Sequence, residues 1–337
     1  MRIIYGLLSG KSGNDIYFEL LAKSQIKFNA EIEFLSYHRY WSINPHLLKP
    51  FIKITPGYDI IHSNAEYGFV FYNRNKPLIV SVLHIIANPK QTEYLTKPQK
   101  IYYQRILDYI EKTLSKSNQI IAISKSTEQS VRNLFKMNNV QTIYCGIDTE
   151  LFKPINIIND PYPNKIKLLF VGNLTKRKGV DLLPQIMAKL DNRFLLFYTT
   201  GLRSPKKVFS DDRMIPLGRL SQTDLVYWYN LCDICLLPTR LEGFGYAIAE
   251  AMACAKPVVT TNCSSLPEIV TNGENGFLCK MDDVGDFVDK INLLADNKPM
   301  REEIGIRNRK KIIDKFNLEI MGKSYYDLYS NIIKELG

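Results

Sequence analysis

The stretch that decides the fold runs from Leu237 to Ala253 and reads LPTRLEGFGYAIAEAMA. It places two carboxylates eight residues apart: Glu242 precedes a Gly-Phe-Gly turn, and Glu250 lies in a segment that is otherwise small and apolar. The pattern predicts a helix over 246–255 that is apolar almost all round and therefore buried. Because a buried Glu needs a polar partner, the hydroxyl groups of a ligand are a good candidate for meeting Glu250.

The turn ahead of this predicted helix has the features of a ligand-binding loop. Gly243 and Gly245 allow the backbone to approach a ligand closely. The helix N-terminus offers unpaired N–H groups and a partial positive charge, which suit an anion such as a phosphate. The alternative is a buried Glu that caps a neighbouring loop, but the coincidence of turn, helix start and second carboxylate favours a ligand site.

This region resembles the donor-sugar motif of the retaining glycosyltransferases of family 4, in which two Glu residues are separated by seven positions (E-x7-E). The matching segments are Pro238-Thr239, Glu242–Gly245, Glu250–Ala253, Lys256–Val259 and Gly273–Leu278. The chain departs from the family pattern at Ala255, where Gly is usual, and at Ser264-Ser265, where two Gly are usual. Ala or Ser would be strained at positive φ, so a different local turn is one expectation at these positions.

The resemblance extends over nearly the whole chain and implies the GT-B architecture: an α/β fold with two facing Rossmann-like domains, parallel sheets and a cleft between them. In the first half, the matching features are a loop with Gly10 and Gly13, a strand with His62 and Ser63, and a strand that ends in His84. In the second half they are the loop Gly172–Gly179 and the turn Gly218–Leu220.

The resemblance also implies roles for individual residues. The implied catalytic residues are His84, Arg177, Lys178 and Glu242. The implied donor-binding residues are Gly172, Asn173, Lys178, Gly218, Arg219, Leu220, Glu242, Gly243, Phe244, Gly245, Tyr246, Ala247 and Glu250. Gly10 and Gly13 would approach the acceptor or a phosphate. Family members usually carry Arg where this chain has Asn173, and Arg177 is the expected substitute because its charge is permanent.

The chemistry of sugar transfer explains why cations are needed here. When a nucleoside diphosphate leaves an activated sugar, negative charge develops on its phosphate, and fixed cations and N–H groups stabilise that charge. Lys176, Arg177 and Lys178 supply the cations. Because the sequence contains no D-x-D pair to hold Mg²⁺ or Mn²⁺, no metal and no cofactor besides the donor sugar nucleotide are expected.

The 337 residues suffice for two domains of about 150 residues each. The predicted boundaries are 1–155 for an N-terminal acceptor-side domain, 156–315 for a nucleotide-sugar domain, and 316–337 for a C-terminal helix that crosses back to the first domain. Residues 153–164 are rich in Pro and Asn and form the predicted linker. The predicted strands are 2–8, 31–35, 59–62, 78–83, 119–123, 142–144, 166–171, 193–199, 214–217, 234–237 and 258–260; further helices are predicted at 14–27, 100–116 and 127–135.

The net charge of +10 favours anionic partners, and the first 150 residues hold 18 Lys and Arg against 12 Asp and Glu. A nucleic-acid-binding protein is not favoured, because no clustered Lys/Arg stripe is present. A dinucleotide oxidoreductase would require G-x-G-x-x-G after the first strand, which Gly10 and Gly13 do not provide. Cys232 and Cys235 have C-x-x-C spacing, but without nearby His or Cys ligands they are predicted to be buried, reduced thiols.

The localisation expected from the sequence is cytoplasmic, since no signal peptide or membrane span is recognisable. Peripheral association with the cytoplasmic membrane face is a further expectation, with helix 14–27 as its candidate surface; an ordinary core-facing helix is the alternative. The predicted function is retaining transfer of a hexose from a UDP- or GDP-linked sugar to a hydroxyl of a glycan, lipid-linked or other acceptor. The alternative is an inactive nucleotide-sugar-binding protein of the same fold.

Overall fold

A computed structural model describes residues 1–10, 13–85, 97–200 and 208–336. The chain divides into two compact units: Met1–Gly146 together with Leu318–Gly337, and Ile147–Asn317. Each unit contains one parallel sheet whose strands alternate in sequence with helices. This alternation follows from geometry, because parallel neighbouring strands need a crossover connection and a helix is the usual one.

The first unit has a six-stranded parallel sheet in the order β2-β1-β3-β4-β5-β6. Its strands are β1 (Arg2–Ser9), β2 (Glu31–His38), β3 (Ile60–Asn64), β4 (Leu78–Val82), β5 (Gln119–Ala122) and β6 (Val140–Thr142). Four of its helices lie in the N-terminal half of the chain: α1 (Gly13–Ile26), α2 (Gly68–Phe71), α3 (Lys97–Leu114) and α4 (Lys125–Phe135). The interior strands β3 and β4 are buried along their whole length, as expected for a sheet covered on both faces.

The second unit has a six-stranded parallel sheet in the order β12-β11-β10-β7-β8-β9. Its strands are β7 (Ile166–Phe170), β8 (Phe194–Thr199), β9 (Met214–Gly218), β10 (Ile234–Leu237), β11 (Val258–Thr261) and β12 (Phe277–Cys279). Its helices are α5 (Leu183–Lys189), α6 (Gln222–Leu231), α7 (Tyr246–Ala253), α8 (Leu266–Ile269), α9 (Val284–Ala295) and α10 (Lys298–Lys315). The last helix of the chain, α11 (Leu318–Leu336), belongs to the first unit.

Most predicted strands lie within a few residues of the observed ones, and three differences are informative. Strand β2 extends to His38, because all eight of its residues pair with β1. Strand β6 lies at Val140–Thr142, two residues before its predicted position. Strand β12 was not predicted, since its three residues are too few to produce a recognisable pattern.

Helix α11 is held to the first sheet by a buried polar cluster around His62. The imidazole of His62 hydrogen-bonds through Nδ1 to Tyr329 Oη at 2.7 Å and through Nε2 to Ser81 Oγ at 2.8 Å. Tyr17 Oη hydrogen-bonds to Ser81 Oγ at 2.8 Å and also to Tyr325 Oη. Burial lowers the pKa of His62 to about 3. His62 is therefore a neutral core residue that ties the C-terminal helix to β3.

Helix α1 faces the core with the residues that suggested a membrane surface. Phe18 and Leu21 are fully buried, whereas Ile16 is exposed. The structure therefore favours the core-facing alternative for this helix. Within the described residues, no helix combines the length and the apolar character that crossing a bilayer requires.

Two of the residues at the family glycine positions have a left-handed backbone. Ala255 has φ +58° and Ser264 has φ +45°, a conformation that glycine adopts freely, whereas Ser265 has φ −79°. The expectation of a different local turn stays a prediction. The turn at Ala255 is fixed by packing against Gly305. The Ala255 carbonyl oxygen lies only 2.1 Å from the position that a Cβ on Gly305 would take.

Replacing Ala255 with Gly is expected to stabilise the protein by about 0.5–1 kcal/mol, because relief of the left-handed strain exceeds the added chain entropy of Gly. The measurement is the urea unfolding midpoint. Ser264→Gly is the matched comparison: it gains the same relief but loses the acceptor for the Glu242 N–H, at 2.9 Å. Its net change is expected to be close to zero, and a stabilisation equal to that of Ala255→Gly would contradict this reasoning.

Candidate active site

The second sheet has a topological switch point between β7 and β10. From β7 the chain proceeds to β8 and β9 on one side, whereas β10, β11 and β12 lie on the other. In open parallel sheets, ligands bind beyond the carboxyl ends of the strands at such a point. The loops that leave β7 and β10 carry Lys178 and Glu242, so the topology places the two predicted motifs side by side.

Helix α7 has one partly open face, which corrects the prediction of an entirely buried helix. Its buried residues are Ile248, Ala249, Ala251, Met252 and Ala253. Tyr246, Ala247 and Glu250 are partly exposed, and their spacing puts them on a common helix face. Glu250 is therefore partly exposed, and its carboxylate lies where a ligand in contact with the N-terminal half of α7 would meet it.

Glu250 has a protein partner, Tyr229 of α6, that the sequence did not reveal. The Tyr229 hydroxyl donates to Glu250 Oε2 at 2.8 Å. Burial raises the pKa of the Glu250 carboxyl to about 7, although the Tyr229 hydrogen bond and the charge of Lys178 act to lower it. Tyr229 itself is fully buried, so it can orient the carboxylate through one oxygen. The second oxygen has no hydrogen bond among the described contacts.

Glu242 forms a buried ion pair with Lys178. Lys178 Nζ lies 2.6 Å from Glu242 Oε1, and the two side chains are 15% and 8% exposed. Burial acts to raise the pKa of Glu242, but the charges of Lys178 and Arg177 and the hydrogen bond from Lys178 hold it below the ordinary value. Glu242 is consequently an anion at neutral pH, and Lys178 connects the loop after β7 to the loop after β10.

Gly179 allows the turn that carries Lys178 to lie close to the loop that follows β10. Lys176–Lys178 form a short 3-10 helix that ends at Gly179, with φ +71°. A Cβ at Gly179 would lie 1.8 Å from the carbonyl oxygen of Pro238. Only glycine fits there, and this contact fixes the position of Lys178.

Arg177 and Arg240 cross-link the same two loops. Arg177 donates from Nη1 to the carbonyl of Leu241 at 2.8 Å. Arg240 forms a two-pronged pair with Asp181, at 2.8 and 2.9 Å, and also donates to Asp282 and to the carbonyl of Lys176. The Arg240 guanidinium is almost fully buried, so it supports the turn, whereas Arg177 is partly exposed.

The serines that replace the family glycines bind the loop that carries Glu242. Ser264 Oγ accepts from the Glu242 N–H at 2.9 Å. Ser265 Oγ hydrogen-bonds to the carbonyls of Glu242 and Phe244, at 3.2 and 2.9 Å. The two hydroxyls thereby anchor the backbone on both sides of Gly243.

The remaining donor-binding candidates occupy the same edge of the second sheet. Gly172 is held by Thr199, whose Oγ1 accepts from the Gly172 N–H at 2.9 Å. Asn173 is exposed, and so is Arg219, which follows β9. Gly218 has φ +73° and open space where a side chain would be, while Leu220 is partly exposed.

At the start of α7, Gly245 has φ +107° and caps the helix. Gly243 is partly exposed. The Phe244 side chain is buried against Tyr246 and Phe316. Phe244 can therefore offer only its backbone to a ligand.

The other three candidates belong to the first unit. Gly10 and Gly13 follow β1, and His84 follows β4, so all three lie at the carboxyl edge of the first sheet. The Gly10 N–H donates to Asp15 Oδ2 at 3.3 Å. A Cβ on Gly10 would lie 2.7 Å from Cδ of Arg39, whereas Gly13 has open space. His84 is partly exposed.

Three parts of the site were not predicted from the sequence: Tyr229, Thr199 and Arg240. None carries a local signal, because each is defined by a contact with a residue far away in sequence. Among the described residues, no group of three or more His, Cys, Asp or Glu side chains is arranged to hold a metal ion. Cys232 and Cys235 are buried, and burial raises the pKa of both thiols.

Solved structures with the same fold define the class of this protein. Sucrose-phosphate synthase from Thermosynechococcus elongatus superposes with a TM-score of 0.86 over 99% of both chains, at 19% sequence identity. HepE of Anabaena, solved in complex with UDP-glucose, superposes with a TM-score of 0.77 over 98% of this chain and 100% of its own, at 17% identity. The two parallel sheets and these likenesses place the chain in the GT-B class.

Family models identify the chain within that class. Residues 153–311 match the model described as glycosyl transferases group 1, and residues 24–151 match the model described as glycosyltransferase family 4. An uncharacterised glycosyltransferase of Methanocaldococcus jannaschii is 29% identical over 85% of this chain and 80% of its own length. Two further curated relatives are matched over 62% of their length. The chain belongs to the GT-B glycosyltransferases and is a transferase.

Proposed function

We propose that the chain is a retaining, metal-independent hexosyltransferase that uses a UDP- or GDP-linked sugar and a hydroxyl of a glycan, lipid-linked or other acceptor. The observation that carries the proposal is the arrangement at the β7–β10 switch point, where Lys178 meets Glu242 and α7 presents Glu250. Cations thus lie beside two carboxylates at the start of a helix. A diphosphate between a sugar and a ribose needs this combination of groups.

In this proposal each group has a separate task. Lys178, Arg177 and the first N–H groups of α7 bind the diphosphate, and the free oxygen of Glu250 accepts hydrogen bonds from the ribose hydroxyls. Glu242, which is paired with Lys178, accepts hydrogen bonds from the sugar hydroxyls. UDP is the preferred nucleotide to test first, because HepE was solved with UDP-glucose.

The reaction we propose replaces one bond at the anomeric carbon on a single face of the sugar. The bond from the anomeric carbon to the phosphate oxygen breaks, and the acceptor oxygen bonds to that carbon from the same side. The acceptor proton passes to the departing phosphate oxygen. No protein base is required, and the cations stabilise the diphosphate as it leaves.

The stereochemistry of the product tests this mechanism. An α-linked donor is expected to give an α-linked product with no trapped covalent intermediate. NMR of the anomeric proton, recorded before mutarotation, measures the outcome. UDP-glucose and GDP-linked sugars are the first donors to test. If no acceptor is known, hydrolysis of the donor is the activity to follow. A β-linked product would overturn the retaining mechanism.

Glu250 provides a binding prediction. Glu250→Gln is expected to weaken nucleoside diphosphate binding by about 1.5–3 kcal/mol, the usual contribution of a hydrogen bond to a charged group. Because the pKa of Glu250 is raised to about 7 and ribose hydroxyls favour the ionised form, wild-type affinity should rise as the pH increases through 7. Calorimetry with UDP and GDP measures both effects.

In Glu250→Gln, the part of the pH dependence that comes from this carboxyl should disappear, whereas the part due to the nucleotide phosphate should remain. Tyr229→Phe is the matched variant, since it keeps the ring and removes only the donor to Glu250. Its effect should be smaller than that of Glu250→Gln. Equal affinity of wild type and Glu250→Gln at every pH would contradict the role of Glu250.

A further inference from the structure

The first sheet has its own topological switch point, between β1 and β3. From β1 the chain proceeds to β2 on one side, whereas β3, β4, β5 and β6 lie on the other. Open parallel sheets bind ligands beyond the carboxyl ends of the strands at such a point. Gly10 and Gly13 follow β1 on one side of it. The turn that follows β3 on the other side carries Glu66, a carboxylate that the proposed mechanism does not use.

The turn that carries Glu66 is held at both ends by hydrogen bonds to the rest of the first unit. The Ala65 N–H donates to the carbonyl of Ser81 at 3.0 Å. The Phe69 N–H donates to Thr113 Oγ1 at 3.1 Å. The position of Glu66 is therefore set by the scaffold, as a group that recognises a ligand requires.

Glu66 lacks a cationic partner, although the unit around it is basic. Among the described residues, no Lys, Arg or His side chain forms an ion pair with its carboxylate. Its side chain is partly exposed. Burial raises the pKa of the carboxyl, and the backbone N–H of Glu66 itself acts to lower it. An ionised carboxylate only accepts hydrogen bonds, so its partner at this edge of the sheet has to bring donors.

Two amide side chains at the same switch point are also incompletely paired. Asn64, the last residue of β3, is 4% exposed, and its Oδ1 has no hydrogen bond within the described part of the chain. Asn14, in the first turn of α1, also has a buried and unpaired Oδ1 there. Native proteins leave few buried polar atoms unpaired. Two of them beside the loops of one switch point therefore indicate a ligand-binding edge.

An exposed aromatic ring lies on the same side as Glu66. Burial, the Tyr102 hydroxyl and the charge of Glu66 all raise the pKa of Tyr67, so the carboxylate is near the Tyr67 hydroxyl. That hydroxyl lies 3.5 Å from the hydroxyl of Tyr102 on α3, and Tyr102 is 46% exposed. A sugar ring has apolar C–H faces and hydroxyls at its rim. An aromatic ring near a carboxylate suits both parts of such a ligand.

We propose that Glu66 selects a neutral, polyhydroxylated acceptor by accepting hydrogen bonds from its hydroxyls. The proposal deepens the proposed function, on which it rests, by naming the chemical class of the acceptor at this contact. Glu66 repels an acceptor with a phosphate or carboxylate beside the contact, which is selection by an unfavourable charge.

The surrounding charges disfavour a cationic acceptor as well. The first 150 residues hold 18 Lys and Arg against 12 Asp and Glu, so the unit as a whole repels cations. Arg39 lies at the other loop of the switch point, because a Cβ on Gly10 would come within 2.7 Å of its side chain. A neutral sugar or polyol is the class that neither sign of charge excludes.

Saturation-transfer NMR titrations of the full chain, with and without UDP, test the proposal. The neutral probes are the methyl pyranosides of glucose, galactose, mannose and N-acetylglucosamine, and the anionic probes are glucose 6-phosphate and mannose 6-phosphate. At least one neutral sugar is expected to bind wild type. Glu66→Gln should weaken its binding by about 10-fold, from the loss of a hydrogen bond to a charged group. Binding of the hexose phosphates should not weaken, so the ratio of the two affinities changes, which a purely structural role of Glu66 would not cause.

Glu31→Gln is the matched control. Glu31 is exposed and begins β2 at the amino edge of the same sheet, so the variant makes the same change of charge far from the switch point. It should bind the sugars like wild type. Both variants should keep the wild-type melting temperature and the wild-type affinity for UDP. A wild type that binds no UDP would contradict the proposed function, whereas the titrations without UDP would still measure the role of Glu66.

Three results would overturn the proposal. The first is that none of the neutral sugars binds wild type. The second is that Glu66→Gln binds them with unchanged affinity, as it would if they occupied only the donor-sugar position. The third is that a hexose phosphate binds wild type more tightly than the matching neutral sugar.

Discussion

Replacing Lys178 with Ala is expected to lower kcat by about 10²–10³, with a much smaller change in the KM for the donor. The physical reason is that the diphosphate gains negative charge as it leaves, so the ammonium interacts more strongly with the transition state than with the bound donor. Lys178 is held in place before the reaction by its 2.6 Å contact with Glu242, so little reorganisation is needed. Steady-state kinetics with the preferred nucleotide sugar measure the two constants separately.

Two controls are needed for this variant. Of the three cations of the short helix, only Lys176 is exposed, whereas Arg177 and Lys178 are partly buried. We therefore expect Lys176 to contribute least of the three, and Lys176→Ala should leave kcat close to the wild-type value. Lys178→Ala also leaves the Glu242 carboxylate buried without its partner, which costs stability. Lys178→Ala/Glu242→Gln restores neutrality, so its melting temperature should recover while its kcat stays well below that of Glu242→Gln alone. A kcat that recovers with the melting temperature would show that Lys178 acts only on stability.

The same mechanism makes a prediction about metals. Since Lys178, Arg177 and the start of α7 supply the positive charge, the activity should survive EDTA. Turnover measured before and after chelation tests this expectation. If chelation abolished turnover and Mg²⁺ or Mn²⁺ restored it, the metal-independent mechanism would be wrong.

Gly179→Ala is expected to lower kcat by about 100-fold or more, because a catalytic group displaced by about 1 Å loses activity on that scale. The added Cβ would lie 1.8 Å from the Pro238 carbonyl oxygen, so the turn that carries Lys178 must move away from β10. The backbone carbonyl cannot yield as a flexible side chain would. The measurement is kcat, together with the melting temperature.

Gly273→Ala is the matched control for the backbone strain. Gly273 has φ +79°, close to the +71° of Gly179, but has no atom within 4 Å of its ideal Cβ. Both variants should lose about 1–2 kcal/mol of stability from the left-handed conformation. Only Gly179→Ala should also lose kcat, and an equal kcat loss in both variants would contradict the positional argument.

The sequence by itself determined the fold class and the two loops of the site. Buried parallel strands such as β3 and β4 are continuous apolar runs, which local sequence reveals directly. The E-x7-E spacing of Glu242 and Glu250 is also local, since only a short turn and the first turn of α7 lie between them. For the same reason Lys178 and Gly179 could be recognised from one loop, and the family models agree with the class that these motifs indicated.

Only the tertiary structure decided which residues these motifs contact. Tyr229 reaches Glu250 from another helix, and Ser264 reaches the Glu242 backbone from a loop 22 residues away. The structure also assigned His62 to a buried cluster with Tyr329, 267 residues distant. Long-range contacts leave no periodic pattern in the chain, because they depend on how elements pack. The positive φ of Ala255 likewise follows from packing, which overrides the backbone preference of a single residue.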